Sequence, residues 1–264
     1  MKRVLLIDGD VLVYKTAWAS ETVIDWGNDL VTLHSDVGEA AQMVDVQISK
    51  IKEKLECDTL LVALTCHDTG NWRKEVYPPY KETRNEKRKP LVWRHMRDHL
   101  VNKYNAVIKP NLEADDVLGI WSTKLGPIAP GLPIATERII VSIDKDFRTI
   151  PGKFFRLNVG NRDEYGTMYE ISEEEADYNF YLQTLTGDST DNYPGCAGIG
   201  PKRAATILTD RGDLSMWEAV VNAYKKAGFG EEFALTQARC ARILRASDYD
   251  FKNKKPILWS PPCE

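Results

Sequence analysis

The apolar residues of this chain fall into two rhythms. Val4, Leu5, Leu6 and Ile7 form an unbroken aliphatic run ended by Asp8 and Gly9. Residues 60–64 form a second run, ended by Cys66, His67 and Asp68, and residues 138–143 a third, ended by Asp144, Lys145 and Asp146. Short aliphatic, partly β-branched runs bounded by polar residues predict buried strands. Residues 106–108 read as a short strand, and 154–158 and 167–171 as weaker ones. Between them the spacing changes. Ala40, Met43, Val44, Ile48, Ile51 and Leu55 mark one face of an amphipathic helix over 39–55. A helix over 91–104 follows Pro90, and one over 112–125 has an acidic first turn. Strands alternating with helices predict an α/β fold with a parallel, doubly wound sheet. Such sheets bind ligands at the carboxyl ends of their strands. Asp8, Asp68 and Asp144 all fall at such ends, which is the first reason to place them in one site.

From Ser172 the chain changes character. Ser172 with Glu175 has the spacing of a capping box, and the helix it opens is expected to reach about residue 185. A polar stretch over 187–192 and a Gly/Pro-rich stretch to Pro201 come next, then a helix over 202–208. The remainder reads as helical, with a Pro-rich tail. The expected division is an α/β core over 1–171, carrying a basic segment at 72–103, and a helical region over 172–264.

Composition narrows the compartment and the class. The chain has 264 residues, enough to bury a sizeable core. Its five cysteines (Cys57, Cys66, Cys196, Cys240 and Cys263) are odd in number and form no C-x-x-C pair. That points to a reducing compartment and away from a disulfide framework or structural zinc. The N-terminal apolar run is too short for a signal peptide or a membrane span, so a soluble, cytoplasmic protein is expected. The formal net charge of −4 argues by itself against nucleic-acid binding. The distribution argues otherwise: residues 72–103 hold ten Lys or Arg against four Asp or Glu. A basic surface can stand beside an acidic pocket in one protein.

The acids come in groups: Asp8 with Asp10; Asp68; Glu113 with Asp115 and Asp116; Asp144 with Asp146; Asp188 with Asp191. Singly, each reads as well as a turn, a helix start or a solvated loop. Together, massed carboxylates need cations to stay ionised, and hard oxygen donors suit magnesium or manganese. Many-carboxylate sites of this kind perform two-metal hydrolysis of phosphodiesters. In the basic segment, Arg73, Tyr80, Lys81 and Arg84 interleave cations with aromatics, a pattern suited to phosphates and bases and equally to a charged surface helix. Gly198 and Gly200 precede a helix whose first turn holds Lys202 and Arg203; this suits a backbone phosphate site or an ordinary tight turn.

Several of these motifs together resemble the 5′-nuclease family of flap endonucleases and 5′→3′ exonucleases, in its bacterial and phage branch. The stretch from Gly187 to Ala204, GDSTDNYPGCAGIGPKRA, is similar to the family's acidic ligands followed by a helix–three-turn–helix DNA clamp. Residues 76–84, VYPPYKETR, resemble its gateway segment; LEADD at 112–116 and SIDKDF at 142–147 resemble its middle acidic motifs. The resemblance implies a PIN-like (resolvase-like) core, with the clamp at about 173–210. It implies that Asp8, Asp68, Glu113 and Asp115 surround a first metal. Asp144, Asp146 and Asp188 would serve a second, with Asp116 and Asp191 acting through water. Lys15, Lys81 and Arg84 would act on the scissile phosphate, and Tyr80 and Arg73 on the DNA. Gly198, Gly200, Lys202 and Arg203 would hold the duplex, with a K+ ion on carbonyl oxygens. The implied activity is Mg2+-dependent hydrolysis of DNA with 5′ ends or flaps, Mn2+ substituting, by a monomer working beside a separate DNA polymerase. Asp10 departs from the family pattern and has no assigned role.

The main rival is a haloacid-dehalogenase-type phosphatase, whose Asp-x-Asp-x-Val motif fits Asp8, Asp10 and the residues after them. Against it, Gly187 follows an expected helix, and that chemistry does not use the other acids. A small PIN-type ribonuclease lacks the clamp, and a non-catalytic DNA-binding relative would have lost carboxylates that this chain keeps.

Overall fold

The computed structural model describes residues 2–84, 87–132, 136–157 and 166–262. In chain order the strands are β1 (Lys2–Asp8), β2 (Thr22–Asp25), β3 (Val31–His34), β4 (Leu60–Leu64), β5 (Val107–Ile108), β6 (Thr136–Ser142), β7 (Gly152–Leu157) and β8 (Gly166–Ile171). The helices are α1 (Gly9–Ala19), α2 (Val37–Lys54), α3 (Trp72–Val76), α4 (Trp93–Tyr104), α5 (Ala114–Thr123), α6 (Glu173–Thr186), α7 (Pro201–Thr209), α8 (Met216–Lys226) and α9 (Glu231–Ala241). Six strands make one sheet in the order β5-β4-β1-β6-β7-β8. All neighbours in it are parallel except β8, which runs antiparallel to β7. β1 lies between β4 and β6, with Ile7 level with Val62 on one side and Val141 on the other. The chain leaves β1 toward β4 and later returns to its other edge as β6. That reversal opens a crevice at the carboxyl end of β1, where Asp8 stands.

Each face of the sheet buries its own cluster. Leu5, Ile7, Val62 and Val141 pack against α1, α2 and α4 through Leu12, Val44, Ile48 and Met96. Val4, Leu6 and Ile140 pack on the other face against Val117, Leu118 and Trp121 of α5. Ile243, Leu244 and Tyr249, far along the chain, complete this second cluster. A third cluster joins α6 to α9 and takes in Tyr80 and Tyr193.

The expected strands and helices of the core are present. The end of the 154–158 strand at Asn158 and the thiol of Cys263 lie outside the described residues. Cys57, Cys66, Cys196 and Cys240 are buried free thiols. Three expectations are corrected. The Asp8-Gly9 pair is the start of α1 and not only a turn: the Val11 N–H donates to Asp8 Oδ1 at 3.3 Å. Gly9 also lies so close to the Ala63 carbonyl that any Cβ would collide with it, which sets α1 tightly on β4. At Ser172 only half of the capping box forms. The Glu175 N–H donates to Ser172 Oγ, but the Glu175 carboxylate turns to Arg148 at 3.0 Å. Beyond α9 the chain is not helical, and runs through a 3₁₀ turn at Ala246–Asp248 and a short pairing of Tyr249–Asp250 with Lys255–Pro256.

The turn between α6 and α7 depends on two glycines. Gly187 and Gly195 both have positive φ, 65° and 66°, and each lies where a Cβ would strike the other's backbone nitrogen. The Cys196 N–H donates to the Leu185 carbonyl at 2.8 Å and pins the crossing. Gly195→Ala is therefore expected to lower stability by about 1–3 kcal/mol from the backbone conformation, with the steric clash adding to it. Denaturant unfolding checks this; a variant as stable as the parent would contradict the close approach.

Candidate active site

A cavity of about 1100 Å³ opens at the carboxyl ends of β1, β4 and β6 and is closed on one side by the 80s segment and α6. Asp8, Asp10, Glu113, Asp115, Asp144, Asp146 and Asp191 line it, as do Lys15, Lys81 and Arg84. Residues from five separate stretches of sequence therefore meet at one place.

Local structure explains how each carboxylate is held. Asp8 is 4% exposed, caps α1, and accepts from Ser142 Oγ at 2.7 Å across the β1–β6 seam. Asp144 caps a 3₁₀ turn by accepting from the Asp146 N–H at 2.9 Å. Asp146 accepts from Gln183 Nε2 at 2.7 Å, which ties that turn to α6. Glu113 and Asp115 stand at the N-terminal end of α5, where the helix dipole favours negative charge. Asp188, expected as a ligand of the second metal, does not line the cavity; it accepts from the Thr190 and Asp191 N–H groups in the turn after α6.

Their electrostatics divide in two. Burial, then the neighbouring Asp10, push Asp8 up to about 7, against the hydrogen bond from Ser142. Burial, then Asp144 and Asp188, push Asp146 up to about 7. Burial, then Asp8 and Asp144, hold Asp115 well above the usual carboxylate range. Burial also raises Asp144. These four acids crowd one another, which disfavours ionising all of them together. Glu113 behaves oppositely: against the penalty of burial, Lys81 and Arg73 bring it down to about 2.

Among the described residues no three Asp, Glu, His or Cys side chains are gathered into a ready-made metal cage. Asp8, Asp115, Asp144 and Asp146 supply hard oxygen donors and a surplus of mutually repelling negative charge, and so fit hydrated divalent cations.

Several expected site residues are placed elsewhere. Asp68 is exposed and does not line the cavity, because β4 ends at Leu64 and the chain turns outward; Thr65, Cys66 and His67 line it instead. Asp116 is fully buried behind α5. Its oxygens accept from Trp72 Nε1, both Nη atoms of Arg73 and the Leu244 N–H, leaving it no path to a cation. Arg73 is 2% exposed, and its five N–H groups go to Glu113, to Asp116 twice, and to the Cys240 and Arg242 carbonyls. It cannot grip DNA as expected. Tyr80 is 2% exposed, with its hydroxyl against Glu113 and Asp191, so its ring offers no face for a base. Both residues shape the floor of the site. Lys81 Nζ pairs with Glu113 and, at 3.4 Å, with Asp191; Arg84 pairs with Asp191. Lys15 is exposed at the cavity and makes no ion pair among the described residues. Gly198, Gly200, Lys202 and Arg203 lie outside the cavity, exposed at the start of α7.

Asp10 now has a role. Its carboxylate accepts from Arg97 Nη1 at 2.8 Å and from the Thr65 N–H at 2.9 Å, joining α1, α4 and the end of β4. Sequence reading also missed Tyr14, Trp18 and Tyr193, which line the cavity. Val11, Tyr14, Lys15 and Trp18 have the spacing of a single helical face. Recognising α1 would have revealed three of these four together with Lys15.

Comparisons with known proteins bear on the chain as a whole. Residues 3–176 match the model of the 5′-3′ exonuclease N-terminal resolvase-like domain. The exonuclease of Escherichia phage T7 is 30% identical, covering 98% of this chain and 94% of its own. A flap endonuclease Xni of Shewanella baltica is 31% identical over 73% of this chain and 75% of its own. The bacteriophage T5 D15 flap endonuclease, solved with DNA and metal ions, shares the fold with a TM-score of 0.59 at 17% identity, covering 90% of this chain and 88% of that one. Gly187 follows helix α6, not a strand, and these matches leave no place for the phosphatase reading. Among the described residues no helix is long and apolar enough to cross a membrane.

Proposed function

The chain belongs to the 5′-3′ exonuclease family, and from that membership we propose that this cavity hydrolyses DNA phosphodiesters at 5′ ends and 5′ flaps, with Mg2+ as the working ion. The observation that carries the proposal is the meeting of Asp8, Asp115, Asp144 and Asp146 in one cavity with Lys15, Lys81 and Arg84. When bound, divalent ions supply a nucleophilic water at neutral pH and charge neutralisation at the leaving oxygen. The four carboxylates would hold the cations. Lys81 and Arg84 are paired with Glu113 and Asp191 in the free protein. With a phosphate in the cavity they exchange part of that pairing for its oxygens and stabilise charge in the transition state. Lys15, at the cavity and free of any ion pair among the described residues, draws the phosphate in. Lys202 and Arg203 at α7 hold the duplex backbone away from the cut. A DNA polymerase partner and a monomeric state accord with this role.

The test uses 5′-labelled blunt duplex, nicked duplex and 5′-flap substrates with magnesium. Short 5′-phosphorylated products from at least one substrate are expected, with 3′-hydroxyl ends. Release from the 3′ end only, or cleavage of none, would sink the reading. Lys81→Ala is expected to lower the single-turnover rate by roughly 10²–10³-fold, as for loss of other transition-state donors, with DNA affinity changed far less.

A further inference from the structure

Lys81 occupies a backbone position that lysine seldom takes. Residues 79–82 form a four-residue turn, closed by the Glu82 N–H donating to the Pro79 carbonyl at 3.1 Å. Lys81 is its third residue and has a φ of 55°. A positive φ at that place in a turn favours glycine or asparagine, because a Cβ there crowds the backbone. The strained conformation has a use. It directs the Lys81 ammonium into the cavity, to Glu113 and, at 3.4 Å, to Asp191. Relaxing φ to its ordinary negative range would turn the Cβ, and the ammonium with it, in another direction.

What holds the strain comes from the turn after α6, which meets residues 79–82 through two consecutive residues. The Lys81 N–H donates to the Asp191 carbonyl at 2.8 Å. Asn192 Nδ2 donates to the Pro79 carbonyl at 2.7 Å, across 113 residues of sequence. A carbonyl only accepts, so the atom facing it is the amide nitrogen, and a carboxylate in its place could not make this bond. The anchor is itself fixed: Asp188 and Tyr193 exchange N–H to carbonyl bonds of 2.9 and 3.1 Å across the same turn. Asn192 also has a positive φ, 57°. That alone does not explain its identity, since glycine meets such a φ as readily and has no amide to offer. Asn192 does not line the cavity, so it does not reach the reacting groups itself.

We infer that Asn192 is a positioning residue whose amide clamps the Pro79 carbonyl and so keeps Lys81 in the left-handed conformation that aims its ammonium at the scissile phosphate. This rests on the role given to Lys81 above. A charge-stabilising group that is present but misplaced by about 1 Å can lose on the order of 10²-fold in rate. The clamp therefore acts on the rate at saturating DNA and leaves DNA affinity nearly unchanged.

The experiment is a cycle of Asn192→Gly and Lys81→Ala, singly and together, with Asn192→Asp as a second probe of the amide. Glycine and aspartate both tolerate a positive φ, so each keeps the turn and removes the donor. Single-turnover cleavage with magnesium is read well below each variant's Tm, on the 5′-labelled substrate that the parent cuts fastest. DNA affinity is measured in chelator. Asn192→Gly and Asn192→Asp are each expected to slow cleavage roughly 10-fold or more. With Lys81→Ala already in place, Asn192→Gly should cost less than about twofold further, because both changes remove the same contribution. A lowered Tm with an unchanged rate would make the bond structural only and overturn the inference. Equal fold losses with and without the Lys81 side chain would overturn it too, since Asn192 would then act by another route. Lys81→Ala cleaving at the parent's rate would overturn the role of Lys81 and the inference with it, and that single variant tells the two failures apart.

Discussion

Asp144→Asn is expected to reduce DNA cleavage by on the order of 10³-fold or more while leaving DNA binding largely intact. Loss of several kcal/mol of charge stabilisation in the transition state corresponds to that factor. The fold should survive. Asn retains the Oδ1 acceptor that Asp144 offers to the Asp146 N–H, so the 3₁₀ turn keeps its cap. Stability at neutral pH should rise without divalent ions, because Asp144 is a like charge beside both Asp8 and Asp115. A variant that is inactive, bound to DNA and more heat-resistant than its parent would carry all three signatures. One that cleaves normally would remove Asp144 from the site.

The same crowding sets a pH dependence. Asp8 and Asp146 move from 3.8 unfolded to about 7 folded, so between those values the folded chain holds the more protons. Stability contributed by these groups therefore falls as pH rises through that window. Glu113 acts in the other direction: its contribution is present above 4.5 and is lost as pH falls toward about 2. Divalent cations should flatten the loss above pH 4, since they bind the ionised carboxylates.

Arg73→Met is expected to cost about 3–5 kcal/mol of stability, the range for leaving one member of a buried ion pair alone. Asp116 is fully buried and would face Met in place of a two-pronged guanidinium at 2.7 and 2.8 Å. The Cys240 and Arg242 carbonyls would lose their donors too, loosening the segment after α9 from α3 and α5. Lys at this position has three donors where five are in use and should not restore the parent. Changing Asp116 to Leu in the same chain should recover much of the loss, because an apolar pair replaces a stranded charge. Denaturant unfolding measures each; a loss under about 1 kcal/mol for Arg73→Met would show the network to be dispensable.

Arg73 and Asp116 also show where sequence reading stops. Strands β1, β4 and β6 were legible because parallel strands buried on both faces leave unbroken aliphatic runs. The acids at their ends followed from the topology of such sheets. Which acids face the cavity did not follow. Asp115 and Asp116 are neighbours on α5, and the step of about 100° between successive helical residues places Asp115 at the cavity and Asp116 behind the helix against Arg73. A basic residue in a basic segment looks like a DNA contact until the fold brings the Cys240 and Arg242 carbonyls and the Glu113 and Asp116 carboxylates around it. Asp68 was misplaced for a similar reason: a strand end fixes where the chain leaves the sheet, not which residue of the following turn looks inward. Helix α1 escaped notice because Asp8-Gly9 carries a turn signal and an N-cap signal at once. The close approach of Gly9 to Ala63 settles the choice only in three dimensions.

The central claim is that the carboxylates of this cavity work only through divalent cations. It is tested most directly by single-turnover cleavage of a 5′-labelled nicked duplex by chelator-treated protein, before and after magnesium is added. No cleavage in chelator and full cleavage with magnesium, at a rate that saturates with its concentration, is the predicted result. Undiminished cleavage in chelator would contradict the account.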